Sequence, residues 1–117
     1  MNELELDLHN FTPHEIIIDD EDEVELAEGK RTARIIYEQE FDHRVNGINV
    51  FHNVSGWLKG LPPRQKGVGY VVSGIVFGSL IRDDIYTPNT SPWSVKRRGY
   101  GKVVSVKSLL CHPRRVA

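Results

Sequence analysis

Residues 38–54 read EQEFDHRV-NG-INVFHNV, and this stretch decides the fold class of the chain. The pair Asn46-Gly47 divides it into the segments Glu38–Val45 and Ile48–Val54. Asparagine and glycine tolerate the positive φ angles of a two-residue type I′ turn, whose twist matches that of paired strands. The stretch therefore predicts a β-hairpin.

Further strand patterns lie on both sides of this hairpin. Leu4–Leu8 alternates apolar and acidic residues, Ile16–Ile18 and Val103–Val106 are rich in β-branched residues, and Tyr70–Val72 is apolar. The apolar run Ile75–Ile81 fits either a strand or a short helix, because runs of this length are ambiguous. We therefore expect a mainly β fold, a small antiparallel sandwich or a partly open barrel with one or two short helices.

Two segments between these patterns look like connections. Asp83–Trp93 contains Pro88 and Pro92 among Asn, Thr and Ser, which predicts a long loop. Lys96–Lys102 contains two glycines, which predicts a turn.

The chain has 117 residues, enough for one hydrophobic core. We expect a single domain over 1–117, with a folded core at 1–110 and a tail at 111–117. Cys111 is the single cysteine, so an intramolecular disulfide is excluded. No apolar run approaches the roughly 18–20 residues that cross a bilayer, and the N-terminus lacks the pattern of a secretory signal, so we expect a soluble intracellular protein.

The net charge of −1 conceals an uneven distribution along the chain. Residues 1–28 hold eleven of the sixteen acidic side chains and no Lys or Arg, whereas residues 29–117 hold all fifteen basic ones. Such asymmetry indicates either pairing within or between subunits, or a surface for an anionic partner. The sequence leaves both interpretations open.

The sequence contains no recognisable catalytic, metal or cofactor motif. Cys111 and His112 are adjacent, so on a strand their side chains point to opposite faces and do not act together. Ser73 is outside any Gly-x-Ser-x-Gly turn, and Gly101-Lys102 lacks the other residues of a phosphate-binding loop. We expect a protein that is not an enzyme and that holds no metal and no cofactor.

The basic C-terminal region is the most informative feature for function. Aromatic and cationic side chains interleave there, and they are Trp93, Lys96, Arg97, Arg98, Tyr100 and Lys102. Aromatic faces stack on bases and guanidinium groups hold phosphates, although an exposed hairpin tip has a similar composition. The loop Arg82–Asn89 is a second candidate, in which Arg82 either contacts a ligand or pairs with Asp83 or Asp84.

Seven short motifs, taken in order, resemble those of small uncharacterised phage and prophage proteins that open with Asn-Leu-Thr-Pro-His. The matching segments are Asn10–His14, Thr32–Ile35, Asn46–Val50, Gly60–Pro62, Tyr70–Ser73, Arg82–Pro88 and Gly101–Val104. The chain departs from that pattern at Phe11, where the family has Leu, and at Asn49, where it has Pro. The resemblance implies a phage setting and therefore the cytoplasm of a bacterial host.

Phage accessory proteins of this size often counter bacterial immunity. Together with the missing catalytic motif and the aromatic and basic C-terminal segment, the resemblance suggests a non-enzymatic protein that binds and sequesters a nucleotide-derived immune signal, of the cyclic oligonucleotide or cyclic ADP-ribose type. The expected ligand-binding residues are Arg34, Arg82, Arg97 and Arg98 for phosphate, Trp93, Tyr100 or Phe77 for stacking, and Asn89, Ser73 and His14 for hydrogen bonds, with Asp83 beside them. We expect a homo-oligomer, because a small protein forms a deep pocket most readily between subunits. Neither a membrane nor a long nucleic acid is expected as a partner.

Two other functions are compatible with the sequence. The protein could be an interaction module that inhibits a host protein or serves as a minor structural component of the phage. It could also be an enzyme acting on nucleotides, with Asp83, Asp84 and His14 as acid–base or metal-binding groups.

Overall fold

The computed structural model describes residues 3–98 and 102–113. They form ten strands and one helix, so the prediction of a mainly β fold is confirmed. In chain order the elements are β1 (Asp7–Asn10), β2 (Ile16–Asp19), β3 (Glu23–Leu26), β4 (Arg34–Val45), β5 (Ile48–Lys59), β6 (Val68–Val71), α1 (Gly74–Ser79), β7 (Ile85–Pro88), β8 (Lys96–Arg98), β9 (Lys102–Ser105) and β10 (Leu109–Cys111). No helix in this part of the chain is long and apolar enough to cross a membrane.

The central sheet has the strand order β1-β6-β7-β10. Its first two pairings, β1 with β6 and β6 with β7, are parallel, and the pairing of β7 with β10 is antiparallel. A mixed sheet thus replaces the antiparallel one that we expected. The reason is the helix α1, which returns the chain between β6 and β7, as parallel neighbours require. The sheets of the described residues do not close into a barrel.

The first strand is shorter than the sequence predicts. It begins at Asp7, not at Leu4, and Leu4 is exposed. The strand needs a partner to pair with, and β6 offers one only from Val68, which lies opposite Asp7. The alternating pattern before Asp7 therefore predicted strand residues for which the sheet has no partner.

Strand β6 lies at the junction of two hydrophobic clusters. Tyr70 and Val72 pack in one cluster, together with Ile85, whereas Val71 packs in the other with Val106. Successive side chains of a strand point to opposite faces, so a short apolar strand supports both sides of the sheet. This explains why Tyr70–Val72 is apolar without alternation.

The predicted long loop Asp83–Trp93 contains a strand. Residues Ile85–Pro88 form β7, in which Ile85 and Thr87 are buried. The prolines had indicated a loop because proline lacks the N–H group that a strand donates. Pro88 occupies the last position of the strand, where the missing group is tolerated. Similarly, the predicted turn Lys96–Lys102 contains strand β8 and the first residue of its partner β9, and the connection between them lies outside the described residues.

Helix α1 resolves the ambiguity of Ile75–Ile81. The hydroxyl of Ser73 accepts a hydrogen bond from the backbone N–H of Val76 over 3.4 Å, so Ser73 caps the helix. The helix also anchors the end of the described chain. The ring of His112 stacks on Phe77 at 4.0 Å, and its Nε2 donates to the Phe77 carbonyl over 2.9 Å.

The predicted tail at 111–117 therefore begins too early. Cys111 ends β10 and pairs with Tyr86 of β7, and His112 packs on the helix. Residues 114–117 lie outside the described residues. The apolar strand pattern before Cys111 is too short to be recognised from sequence alone.

The bend after β1 is held by the side chains of Asn10 and Thr12, and Asn10 makes most of the bonds. Its amide donates to the carbonyls of His14 over 2.7 Å and Ala27 over 2.9 Å, and its Oδ1 accepts from the N–H and the hydroxyl of Thr12. Thr12 is itself buried. The Asn-x-Thr-Pro-His segment thus stabilises the fold by fastening the bend to the segment after β3.

The predicted hairpin is present and is longer than expected. Strands β4 and β5 have 12 residues each, and Asn46 and Gly47 have φ angles of 50° and 79°. We call this pair of strands the ribbon. It is a separate two-stranded sheet, and the radius of gyration of 17.0 Å exceeds the roughly 13 Å expected for a compact chain of this length.

Candidate functional site

Arg82 forms an enclosed ion pair instead of an open phosphate site. Its Nε and one terminal nitrogen donate to the two carboxylate oxygens of Asp84 over 2.8 and 2.6 Å, and the other donates to the Pro62 carbonyl over 3.1 Å. The bond to Asp84 raises the pKa of Arg82 above its ordinary value. The alternative in which Arg82 pairs with a neighbouring carboxylate is therefore the one that the structure shows.

The other predicted residues of this loop also have partners within the fold. Asp83 is exposed and forms an ion pair with Arg64. Asn89 is buried, where its amide donates to the Ser108 hydroxyl over 3.0 Å and its Oδ1 accepts from the Ser91 backbone N–H. These contacts fix the ends of β7. They use the polar atoms of Asp83 and Asn89 within the fold, so these atoms do not converge on a ligand site.

Three further predicted residues lie in different elements. Ser73 caps α1, and His14 contributes its backbone carbonyl to the bend while its side chain is exposed. Arg34, at the start of β4, donates to the Thr32 hydroxyl over 3.2 Å. Among the side chains that the structure describes, no hydrogen bond or ion pair joins two of the eleven predicted ligand-binding residues.

The aromatic and basic segment is only partly described. Trp93 is 65% exposed, and it precedes the buried Ser94, whose hydroxyl accepts from the Lys107 backbone N–H over 2.9 Å. Arg97 and Arg98 belong to strand β8. Tyr100 lies outside the described residues, and so do the side chains of Arg97 and Arg98.

An open groove of about 490 Å³ lies between β1 and the segment that follows β3. Its lining consists of Leu8, His9, Asn10, Phe11, Leu26, Ala27, Glu28, Gly29, Lys30 and Arg31, and includes none of the predicted ligand-binding residues. Asn10 and the Gly29 backbone are already engaged in holding the bend. The charges of Glu28, Lys30 and Arg31 are mixed, so the groove does not concentrate positive potential for an anion.

The ribbon exposes a row of aromatic side chains on one face. This aromatic face consists of Ile35, Tyr37, Gln39 and Phe41 of β4 and of their partners Leu58, Gly56, Asn53 and Phe51 of β5. Near the base, Ile35 and Leu58 pack against the core. Farther out, Phe41 and Phe51 are 55% and 54% exposed and meet edge to face with ring centroids 5.9 Å apart.

The opposite face of the ribbon is polar at its centre. Nδ1 of His43 and Nδ1 of His52 donate to the two carboxylate oxygens of Asp42 over 2.7 and 2.8 Å. These bonds, with the one from His43 first, lower the pKa of Asp42 below its ordinary value of 3.8. Within the described residues, no three His, Cys, Asp or Glu side chains have the geometry of a metal site.

The two outer edges of the ribbon differ in charge. Strand β5 carries no Asp, Glu, Lys or Arg between Ile48 and Leu58, whereas β4 carries Glu38, Glu40, Asp42 and Arg44. Neither outer edge pairs with another strand in the described ranges. Proteins commonly protect exposed strand edges with charges, and β5 lacks that protection.

Sequence reasoning predicted the hairpin but missed this surface. The aromatic face depends on which residues of β4 and β5 lie opposite each other, and two bulges change that register along the ribbon. A usable signal was present, because Tyr37 and Phe41 are four residues apart on one strand and therefore share a face.

The chain matches no protein-family model, and no curated protein or solved structure was found to resemble it.

Proposed function

We propose that this protein is an interaction module that binds a partner protein through the aromatic face of the ribbon. The observation that carries the proposal is the exposed pair Phe41 and Phe51, which lie opposite each other on the two strands of the ribbon. Clustered, exposed apolar side chains are typical of interaction sites, and aromatic side chains dominate the binding energy of many interfaces. The proposal agrees with the interaction module considered from the sequence.

The energy available from this face is sufficient for a specific complex. Each phenylalanine exposes roughly 100 Å² of side chain, and burying that area contributes about 2.5 kcal/mol. The hydrogen bonds between β4 and β5 fix the backbone that carries these rings, so binding orders little additional backbone. The two rings together could therefore supply a large share of the free energy of binding.

The motif resemblance supports a phage protein acting in the cytoplasm of a bacterial host. In that setting the partner would be a host protein that the module inhibits or another protein of the phage particle. The protein acts in this proposal by binding alone, without catalysis.

The proposal is tested by recovering partners of the full-length tagged chain from host lysate. We expect one stoichiometric protein partner, whose recovery falls about tenfold or more with Phe41→Ser. Ile81→Ser is the matched control, because Ile81 is 83% exposed but lies outside the ribbon. Equal loss of the partner in both variants would contradict binding through the aromatic face.

Sequestration of a nucleotide signal is the second candidate. The exposed Trp93 and the basic strand β8 favour it, since an oligomer could place such groups around one anion. The same recovered material separates the two candidates. A nucleotide released intact on heating, in place of a protein partner, would favour sequestration.

A further inference from the structure

The outer edge of β5 is the least protected edge of the ribbon. Its residues from Ile48 to Leu58 include no Asp, Glu, Lys or Arg, and their unpaired backbone groups form a template for another strand. Four large apolar side chains along it, Ile48, Phe51, Val54 and Trp57, are each about half exposed or more. We expect another strand to pair with this edge when the protein is in its functional state.

We infer that a second copy of this chain covers this edge, with β5 of each copy pairing antiparallel about a two-fold axis. The inference rests on the proposed function, because it names an occupant for part of the same ribbon. The pairing would join two ribbons into a four-stranded sheet with the order β4-β5-β5-β4. The aromatic faces of both copies would then lie side by side on one surface.

Charge selects this edge for self-pairing. In an antiparallel pairing about a two-fold axis, each residue meets the residue at the same distance on the other side of the axis, so a strand whose charges are mostly of one sign meets mostly that same sign. Strand β4 would bring Glu38, Glu40 and Asp42 of both copies together, and like charges opposite each other are unfavourable. Strand β5 meets its copy without such repulsion, since His52 is its one titratable residue before Lys59.

The size of the contact sets the expected affinity. A pairing of ten to twelve residues spans roughly 35–40 Å and its side chains roughly 10 Å, which gives about 400 Å² per copy. Specific complexes bury about 800 Å² per partner, and smaller contacts belong to weaker complexes. A reversible dimer with a dissociation constant in the micromolar range follows.

The test compares two amide residues that face each other across the ribbon. Asn53 of β5 accepts a hydrogen bond from Gln39 of β4 over 3.1 Å. Asn53→Lys and Gln39→Lys therefore remove the same bond and add the same charge, but on different edges. Sedimentation equilibrium of the full chain should show a dimer that Asn53→Lys weakens about tenfold and Gln39→Lys about twofold or less.

Hydrogen exchange of the unmodified protein provides a second measurement that needs no variant. Outward-facing amides of β5 should gain protection as protein concentration rises, and those of β4 should not. A protein that stays monomeric at several hundred micromolar, or two variants of equal effect, would overturn the inference. A monomer that still recovers a partner through Phe41 would refute the dimer alone, whereas a dimer that recovers none would refute the proposed function alone.

Discussion

Arg82 and Asp84 show how a residue that looks like a ligand contact is committed to the fold. The guanidinium donates to both carboxylate oxygens and to the Pro62 carbonyl, and it lies over the ring of Tyr70 at 5.9 Å. All three of its nitrogens thus have acceptors. The pair joins the loop before β6 to the start of β7, which positions two strands of the central sheet.

Neutralising one member of this pair should destabilise the protein. Asp84 is buried, so Asp84→Asn leaves the charge of Arg82 without its partner at a place where water cannot take over that role. We expect a loss of about 2 kcal/mol in the free energy of unfolding. Asp83→Asn is the control, because its ion pair with Arg64 is exposed and contributes less than about 1 kcal/mol. Urea unfolding measures both, and equal losses would contradict the structural role of Arg82.

At the scale of single residues, the sequence indicated which polar residues matter but not which partners they bond. It allowed Arg82 to pair with Asp83 or Asp84 but not the choice between them, because that depends on where the guanidinium is held by its contacts with Tyr70 and Pro62. Likewise, Asn10 belongs to the motif that carries the resemblance, but its bonds to Leu26 and Ala27 cross sixteen or more residues. Such long-range contacts leave no local pattern in the sequence.

The ribbon shows what can be predicted for a single element. Asn46-Gly47 fixed the turn correctly, because the requirement for positive φ is local. The length of the strands was underestimated, and the bulges between Glu38 and Gln39 and between Phe41 and His43 were not foreseen. A bulge depends on the pairing of both strands, so neither strand reveals it alone.

Asp42 gives the ribbon a specific response to acid. Its folded-state pKa is lowered by the bonds from His43 and His52, so this contribution to stability is fully present above the unfolded value of about 3.8. It is lost as the pH falls through the lower folded value, when the protonated carboxyl no longer accepts both bonds. Titration of the Asp42 carboxyl by NMR should therefore show a midpoint below 3.8, which His43→Gln moves upward. A midpoint unchanged by that substitution would show that His43 is not the cause.

On the scale of the whole molecule, the fold brings part of the acidic N-terminal region close to the basic C-terminal strands. The backbone of β2, in the acidic N-terminal region, bonds to Val106 just after β9, through Asp19 N–H over 2.8 Å and through the Ile17 carbonyl over 2.9 Å. The acidic hairpin of β2 and β3 is thus a neighbour of the basic strand pair. Among the described side chains, however, no ion pair joins this acidic region to a Lys or Arg, so both interpretations left open by the sequence stay predictions.

The ribbon should be separable from the rest of the molecule. The two core clusters receive only Ile35 and Leu58 from it, among the described residues. Replacing residues 38–55 by Asn-Gly keeps the pair Tyr37 and Gly56 and should leave a cooperatively folded protein. Near-UV circular dichroism and urea unfolding test this, with the full chain as reference. A shortened chain that unfolds would show that the ribbon is part of the folding unit.

The bulges of the ribbon also limit how its length can vary over evolution. Side chains alternate between faces with a period of two, so inserting or deleting one residue in either strand turns every side chain beyond it to the opposite face unless a bulge absorbs the change. Phe41 and Phe51 lie between the base and the tip, bounded by the two bulges. Length changes nearer the tip leave the two phenylalanines in place. Single-residue changes nearer the base would move them to the opposite face of the ribbon, which carries Asp42 and the two histidines. Natural variants should therefore tolerate insertions around Asn46-Gly47 far better than anywhere between Arg34 and Phe41.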